Sequence, residues 1–140
     1  MTEQSSLGRA TLKALVVAIS ATLAVRWLAV TVFDIPAEFP PLAGPAPTIF
    51  FTAIGTLGAA GVLGIVRRRA AHPGAAFRRI ALLALMVSFV PDFWLFSGSA
   101  SGVFPGATST GVGVLMVLHM VAALTIVWGL TGLRFSSTAF

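Results

Sequence analysis

Three ionisable residues interrupt otherwise apolar stretches of this chain: Arg26, Asp92 and His119. A guanidinium, a carboxylate and an imidazole brought together can form a buried ion pair, hold an anion or pass a proton. Histidine titrates near neutral pH, and a carboxyl group in a low-dielectric setting resists ionisation unless it is paired. Hydroxyl groups stand close by in sequence. Thr22 lies one helical turn before Arg26, Ser88 one turn before Asp92, and Thr48 and Thr56 flank Thr52 by one turn each.

Depth relates these residues to one another. With about 1.5 Å of rise per residue, Arg26 stands roughly 20 Å from Lys13, Asp92 roughly 20 Å from Arg79, His119 roughly 22 Å from Arg134, and Thr52 roughly as far from Arg67. The spacing predicts one polar layer, Arg26, Thr52, Asp92 and His119, with one member from each of four helices. Two readings of that layer are open. In the first, Arg26 and Asp92 form an ion pair completed by His119 and Thr52, and the network sets helix register. In the second, the layer floors a small cavity where Arg26 holds an anionic or carbonyl-bearing ligand and Asp92 and His119 exchange protons.

Other chemistry finds little support. Cysteine is absent, which excludes disulfides, thiolate metal sites and thiol-disulfide exchange. Met116 and Met120 flank His119, yet bis-histidine haem needs a second histidine in the apolar blocks, and His72 lies in a basic connecting segment. Methionines in an apolar helix are ordinarily gap fillers. No P-loop, HExxH, GxSxG or dinucleotide-binding pattern is present, and no metal or cofactor is expected.

The elements that must position this layer are apolar helices. Apolar residues make up 57% of the 140 and charged residues only 9%, against about a quarter charged in soluble domains. Four apolar blocks, about 11–33, 48–66, 80–96 and 110–133, each approach the roughly 20 residues needed to span a bilayer as helix. They use most of the chain, so residues 1–140 read as one all-α domain, an integral-membrane up-down four-helix bundle. The first block has a basic start like a signal peptide, but lacks a small-residue cleavage site and runs on through Arg26 to Phe33. Residues 34–47, DIPAEFPPLAGPAP, hold five prolines and form an ordered or semi-rigid loop. His72-Pro73-Gly74 breaks the chain between the second and third spans. Pro91 removes one backbone hydrogen bond and should kink the third.

Charge sets the orientation. Arg9, Lys13, Arg67, Arg68, Arg69, Arg78, Arg79 and Arg134 all fall on one side, and the other side has no lysine or arginine. Basic residues are retained in the cytoplasm, so both termini and the 67–79 segment are expected there, in a bacterial cytoplasmic (inner) membrane. The formal charge of +5 thus reflects topology, and no nucleic-acid partner is expected. Arg67, Arg68, Arg69, Arg78 and Arg79 could in addition hold anionic lipid. Trp27, Trp94 and Trp128 lie toward helix ends, as interfacial anchors do. Gly55, Gly58, Gly61 and Gly64 repeat every third residue and predict a smooth face for close helix packing, inside the bundle or against a second copy.

The FPPL stretch at Phe39–Leu42, the Pro91-Asp92 pair and the LHMVAA stretch at Leu118–Ala123 resemble a bacterial family of small four-helix membrane proteins known only as a domain of unknown function. The resemblance covers nearly the whole chain. It implies the same architecture and carries no activity, ligand or catalytic residue. Small multidrug transporters, also four-helical, are expected to carry a glutamate in their first helix, where this chain has Arg26. Three functions follow: a non-enzymatic accessory or interaction protein, which the sequence favours; a small transporter or ligand-binding bundle using the polar layer; and a membrane enzyme acting on a lipid or quinone.

Overall fold

The computed structural model describes residues 3–98 and 102–132, with side chains from residue 6 onward. Four α-helices, and no strand among the described residues, follow one another: α1 (Glu3–Val32), α2 (Pro45–Arg69), α3 (Pro73–Phe96) and α4 (Ser109–Thr131). The shortest, α4 with 23 residues, is about 34 Å long, against a hydrocarbon thickness of about 30 Å. All four are long and apolar enough to cross a bilayer.

The helix starts lie earlier than the apolar blocks suggest, and proline is the reason. Pro45 and Pro73 occupy the first turns of α2 and α3. A missing N–H costs nothing there, because the first helical donors have no intrahelical acceptor anyway. The break between the two helices falls at residues 70–72, so Pro73 and Gly74 open α3 and Arg78 and Arg79 stand on α3 itself. Pro91 lies inside α3, which continues through it to Phe96. At the other end of α2, Arg67, Arg68 and Arg69 form the last turn, where cations complement the helix dipole. Thr108 caps α4 by accepting the Gly111 N–H at 3.1 Å. Arg134 lies outside the described residues.

Helix α1 packs against α2 and α4, while α3 packs against α4 and, less extensively, α2. Helices α1 and α3 thus occupy opposite corners and do not approach each other. Two apolar clusters fill the bundle. One, toward the end bearing Arg67–Arg69 (the basic end), includes Ala14, Ala18, Leu63, Phe77 and Leu130. The other, toward the opposite loop end, includes Ala29, Phe39, Leu42, Val112 and Leu118. Buried Thr22, Thr52 and Thr56 stand on the stretch of α1 and α2 between them.

The closest helix approach belongs to a glycine outside the expected stripe. A Cβ built on Gly129 would lie 2.6 Å from the Ala14 Cα and 2.7 Å from its Cβ, so α4 rests on the α1 backbone. Both residues are buried. The stripe on α2 corrects the expectation of packing inside the bundle. Gly55, Gly58 and Gly61 are exposed, a Cβ on Gly58 or Gly61 would meet nothing within 4 Å, and Gly64 is half-buried beside Leu7. The inward face of α2 is Thr48, Thr52, Thr56, Ala60, Leu63 and Val66. Residues recurring every three to four positions share a helix face, whereas a strict three-residue repeat drifts away from it.

Gly129→Ala should therefore lower stability by about 1–3 kcal/mol, because the methyl group meets backbone that can only move as a helix. Gly58→Ala should not destabilise the isolated chain. Thermal unfolding of the two variants in detergent checks the contrast.

Candidate functional site

The polar residues divide into three groups, and their positions follow from which helices are neighbours. Thr22 of α1 and Thr52 of α2 face each other with their hydroxyl oxygens 3.3 Å apart. Thr22 also donates to the Ala18 carbonyl at 2.8 Å, and Thr56 donates to the Thr52 carbonyl at 2.7 Å. Hydroxyls that satisfy themselves on their own helix can be buried without a further partner. Thr52 thus meets α1 one turn away from Arg26, and not Asp92 or His119.

Arg26 turns toward the loop between α1 and α2. Its Nη2 donates to the Leu42 carbonyl at 2.7 Å, while its Nε is buried without a hydrogen-bond partner. The loop it holds is a plug. Phe39 and Leu42 are fully or nearly fully buried, and the Phe39 and Leu42 N–H groups donate back to Pro36 and Phe39 carbonyls at 3.1 and 3.0 Å. Phe39 lies against Gly111, where a Cβ would meet its ring at 3.2 Å. Gly106 supports the same loop from the connection between α3 and α4. Its φ of +72° suits glycine, and a Cβ there would press on the Glu38 side chain at 2.8 Å and the Phe39 nitrogen at 3.0 Å. The FPPL motif is thus an anchor for the loop end, with Arg26 as its clasp.

Asp92 and His119 are the pair that meets. The Asp92 Oδ2 and His119 Nδ1 are 2.8 Å apart, across α3 and α4. Asp92 is buried, with 3% of its side chain exposed, whereas His119 has 39% exposed and emerges on the α3–α4 surface. Phe89 stands beside the imidazole, ring centroids 6.2 Å apart. The expected ion pair between Arg26 and Asp92 is absent, since their helices occupy opposite corners. Ser88 also does not reach Asp92; it donates to the Leu85 carbonyl at 2.6 Å.

The bond to Asp92 gives the imidazole two distinct faces. A neutral imidazole carries one ring proton, so the tautomer that meets Asp92 at Nδ1 fixes whether Nε2 donates or accepts. Nothing among the described residues bonds Nε2. The described residues hold no group of three or more His, Cys, Asp or Glu able to bind a metal.

A family model described as a family of unknown function (DUF6069) matches residues 2–134, nearly the whole chain. The chain belongs to this family. The FPPL, Pro91-Asp92 and LHMVAA stretches all fall within the matched region, and all three occupy structural positions: the plug, and the two helices that pair Asp92 with His119. No curated protein and no solved structure matches the chain.

A double-mutant cycle separates these groups. Asp92→Asn and His119→Ala should be coupled by about 0.5–3 kcal/mol in thermal stability, because each removes the other's partner. Arg26→Met and Asp92→Asn should be additive within about 0.5 kcal/mol, since they share none. Coupling between Arg26 and Asp92 would contradict the arrangement.

Proposed function

We propose that this DUF6069 member is a multi-pass protein of a bacterial cytoplasmic membrane, with both termini in the cytoplasm, that works by recognising another membrane protein rather than by catalysis. The recognition surface is the α3–α4 face around His119. Four apolar helices and the confinement of Arg9, Lys13, Arg67–Arg69, Arg78 and Arg79 to one end support the membrane topology.

The observation that carries the reading is the pair itself: a buried carboxylate holding one side of a partly exposed imidazole that has no second hydrogen-bond partner among the described residues. In hydrocarbon, polar groups without partners are costly, and those that persist generally meet another polar group. The side chain beside the imidazole, Phe89, is apolar. A second transmembrane helix supplying one hydrogen-bonding side chain to His119 Nε2 would complete the site, at the 0.6 to about 2 kcal/mol typical of such bonds in membranes. Asp92 positions the ring and sets which character Nε2 presents.

The competing functions have less behind them. A transporter or ligand-binding bundle needs the polar residues to converge on one interior cavity. Here Arg26 is committed to the plug, Thr52 to Thr22, and Asp92 and His119 to each other. An enzyme would need a nucleophile or a second proton-active group beside the dyad, and the nearest hydroxyl on α3, Ser88, is turned to its own backbone. The exposed Gly55–Gly61 surface leaves a second copy of this chain as one form the partner takes.

Native electrophoresis of the complex extracted from host membranes tests this, with two differently tagged copies co-expressed to tell a second copy from another protein. Wild type should migrate well above the 14.5 kDa chain. His119→Ala should reduce the complex about tenfold, equivalent to about 1.4 kcal/mol, while Arg79→Gln leaves it intact. A monomeric wild type, or a His119→Ala protein in an unchanged complex, would refute the reading.

A further inference from the structure

Between α3 and α4, on the basic side of Asp92 and His119, lies a groove of about 290 Å³. Its α3 wall is Arg78, Ala81, Leu82 and Leu85, residues that share one face over two turns. The α4 wall is built on Leu124, Val127 and Trp128, with Ala123 at its far end and Thr131 near the mouth. Small Ala81 and Ala123 leave the space, and from Arg78 to Leu85 the groove runs about 10 Å along the helix axis.

The two ends of the groove differ in chemistry. Leu82, Leu85, Leu124 and Val127 make the part away from the basic end apolar, with Leu82 and Leu124 on its exposed rim. At the mouth stand the exposed guanidinium of Arg78, the Trp128 indole and Thr131. The acids whose side chains are described, Asp34, Glu38 and Asp92, all lie toward the loop end. Thr131 donates its hydroxyl proton to the Val127 carbonyl at 2.7 Å and so keeps only acceptor capacity. Lys13 sits over the other face of the site, its Nζ 4.5 Å from the Trp128 ring centroid. Arg67, Arg68, Arg69 and Arg79 add positive charge at the same end.

An apolar groove about 10 Å long, with an arginine at its basic end, matches one kind of occupant. We propose that the α3–α4 groove is a binding site for an anionic phospholipid, with an acyl chain along Leu82, Leu85 and Leu124 and the phosphate against Arg78. Arg78 makes the site selective for anionic over zwitterionic lipid, and Trp128 marks the glycerol level. The inference rests on the reading that the chain spans a bilayer, and the experiment distinguishes failure of the two.

The test uses the full chain with Trp27→Phe and Trp94→Phe, so that Trp128 is the sole fluorophore, in vesicles where either phosphatidylglycerol or phosphatidylcholine carries brominated acyl chains. Brominated phosphatidylglycerol at low mole fraction should quench Trp128 with an apparent affinity about fivefold above that of phosphatidylcholine, the preference expected of one arginine at a membrane surface. Arg78→Gln should abolish that preference, and Ala123→Phe, which fills the groove, should weaken quenching by the anionic lipid. Arg68→Gln, an equal loss of charge at the end of α2, should leave the preference in place. Equal quenching by both lipids, or equal loss in Arg78→Gln and Arg68→Gln, would overturn the site while leaving the membrane reading intact. Absence of quenching by either lipid would overturn both.

Discussion

The close approach of α4 to α1 at Gly129 and Ala14 governs the arrangement of every other group in this protein. With α4 resting on the α1 backbone, α1 has α2 on one side and α4 on the other, and α3 is left for the opposite corner. In a bilayer such contacts matter more than in water. Lipid tails are as apolar as leucine, so helices associate through van der Waals contact and hydrogen bonds, and small residues that admit a neighbouring backbone choose the partners.

That order of helices decides what the polar residues can do. Arg26 and Asp92 belong to helices that never meet, so these two opposite charges find separate partners: a loop carbonyl for one and an imidazole for the other. Each solution suits its chemistry. A guanidinium is a multiple donor that can hold a carbonyl without changing protonation, and here it fastens the loop. A carboxylate beside an imidazole shares a mobile proton, which leaves a surface nitrogen whose character depends on where that proton sits.

The loop between α1 and α2 gains its order from the same contacts. Five prolines limit its backbone freedom, and the turns at Pro36–Phe39 and Phe39–Leu42 direct Phe39 and Leu42 into the bundle. Gly111 and Gly106 supply the space, one for the ring and one for the backbone around it. The loop end is thereby closed by protein, whereas the basic end opens between α3 and α4 beside Arg78. The two ends of the bundle are chemically and sterically unlike.

Composition and spacing alone determined the all-helical class, the number of long apolar helices, the proline-rich loop and the collection of basic residues at one end, because these depend on local hydropathy, proline stereochemistry and charge. Helix starts at Pro45 and Pro73 are not legible in the same way, since proline ends one helix and begins another by the same missing donor. The individual members of the polar layer, Arg26, Thr52, Asp92 and His119, were also legible, each as a costly group in an apolar stretch. Their partners were not. Equal depth along four helices says nothing about which helices are adjacent, so it could not exclude an Arg26–Asp92 pair or reveal the 2.8 Å contact of Asp92 with His119. Likewise the repeat of Gly55, Gly58, Gly61 and Gly64 is visible in one dimension, and single Gly129 is not. Which glycine receives a neighbouring backbone depends on where a second helix passes, and only the tertiary structure decides that.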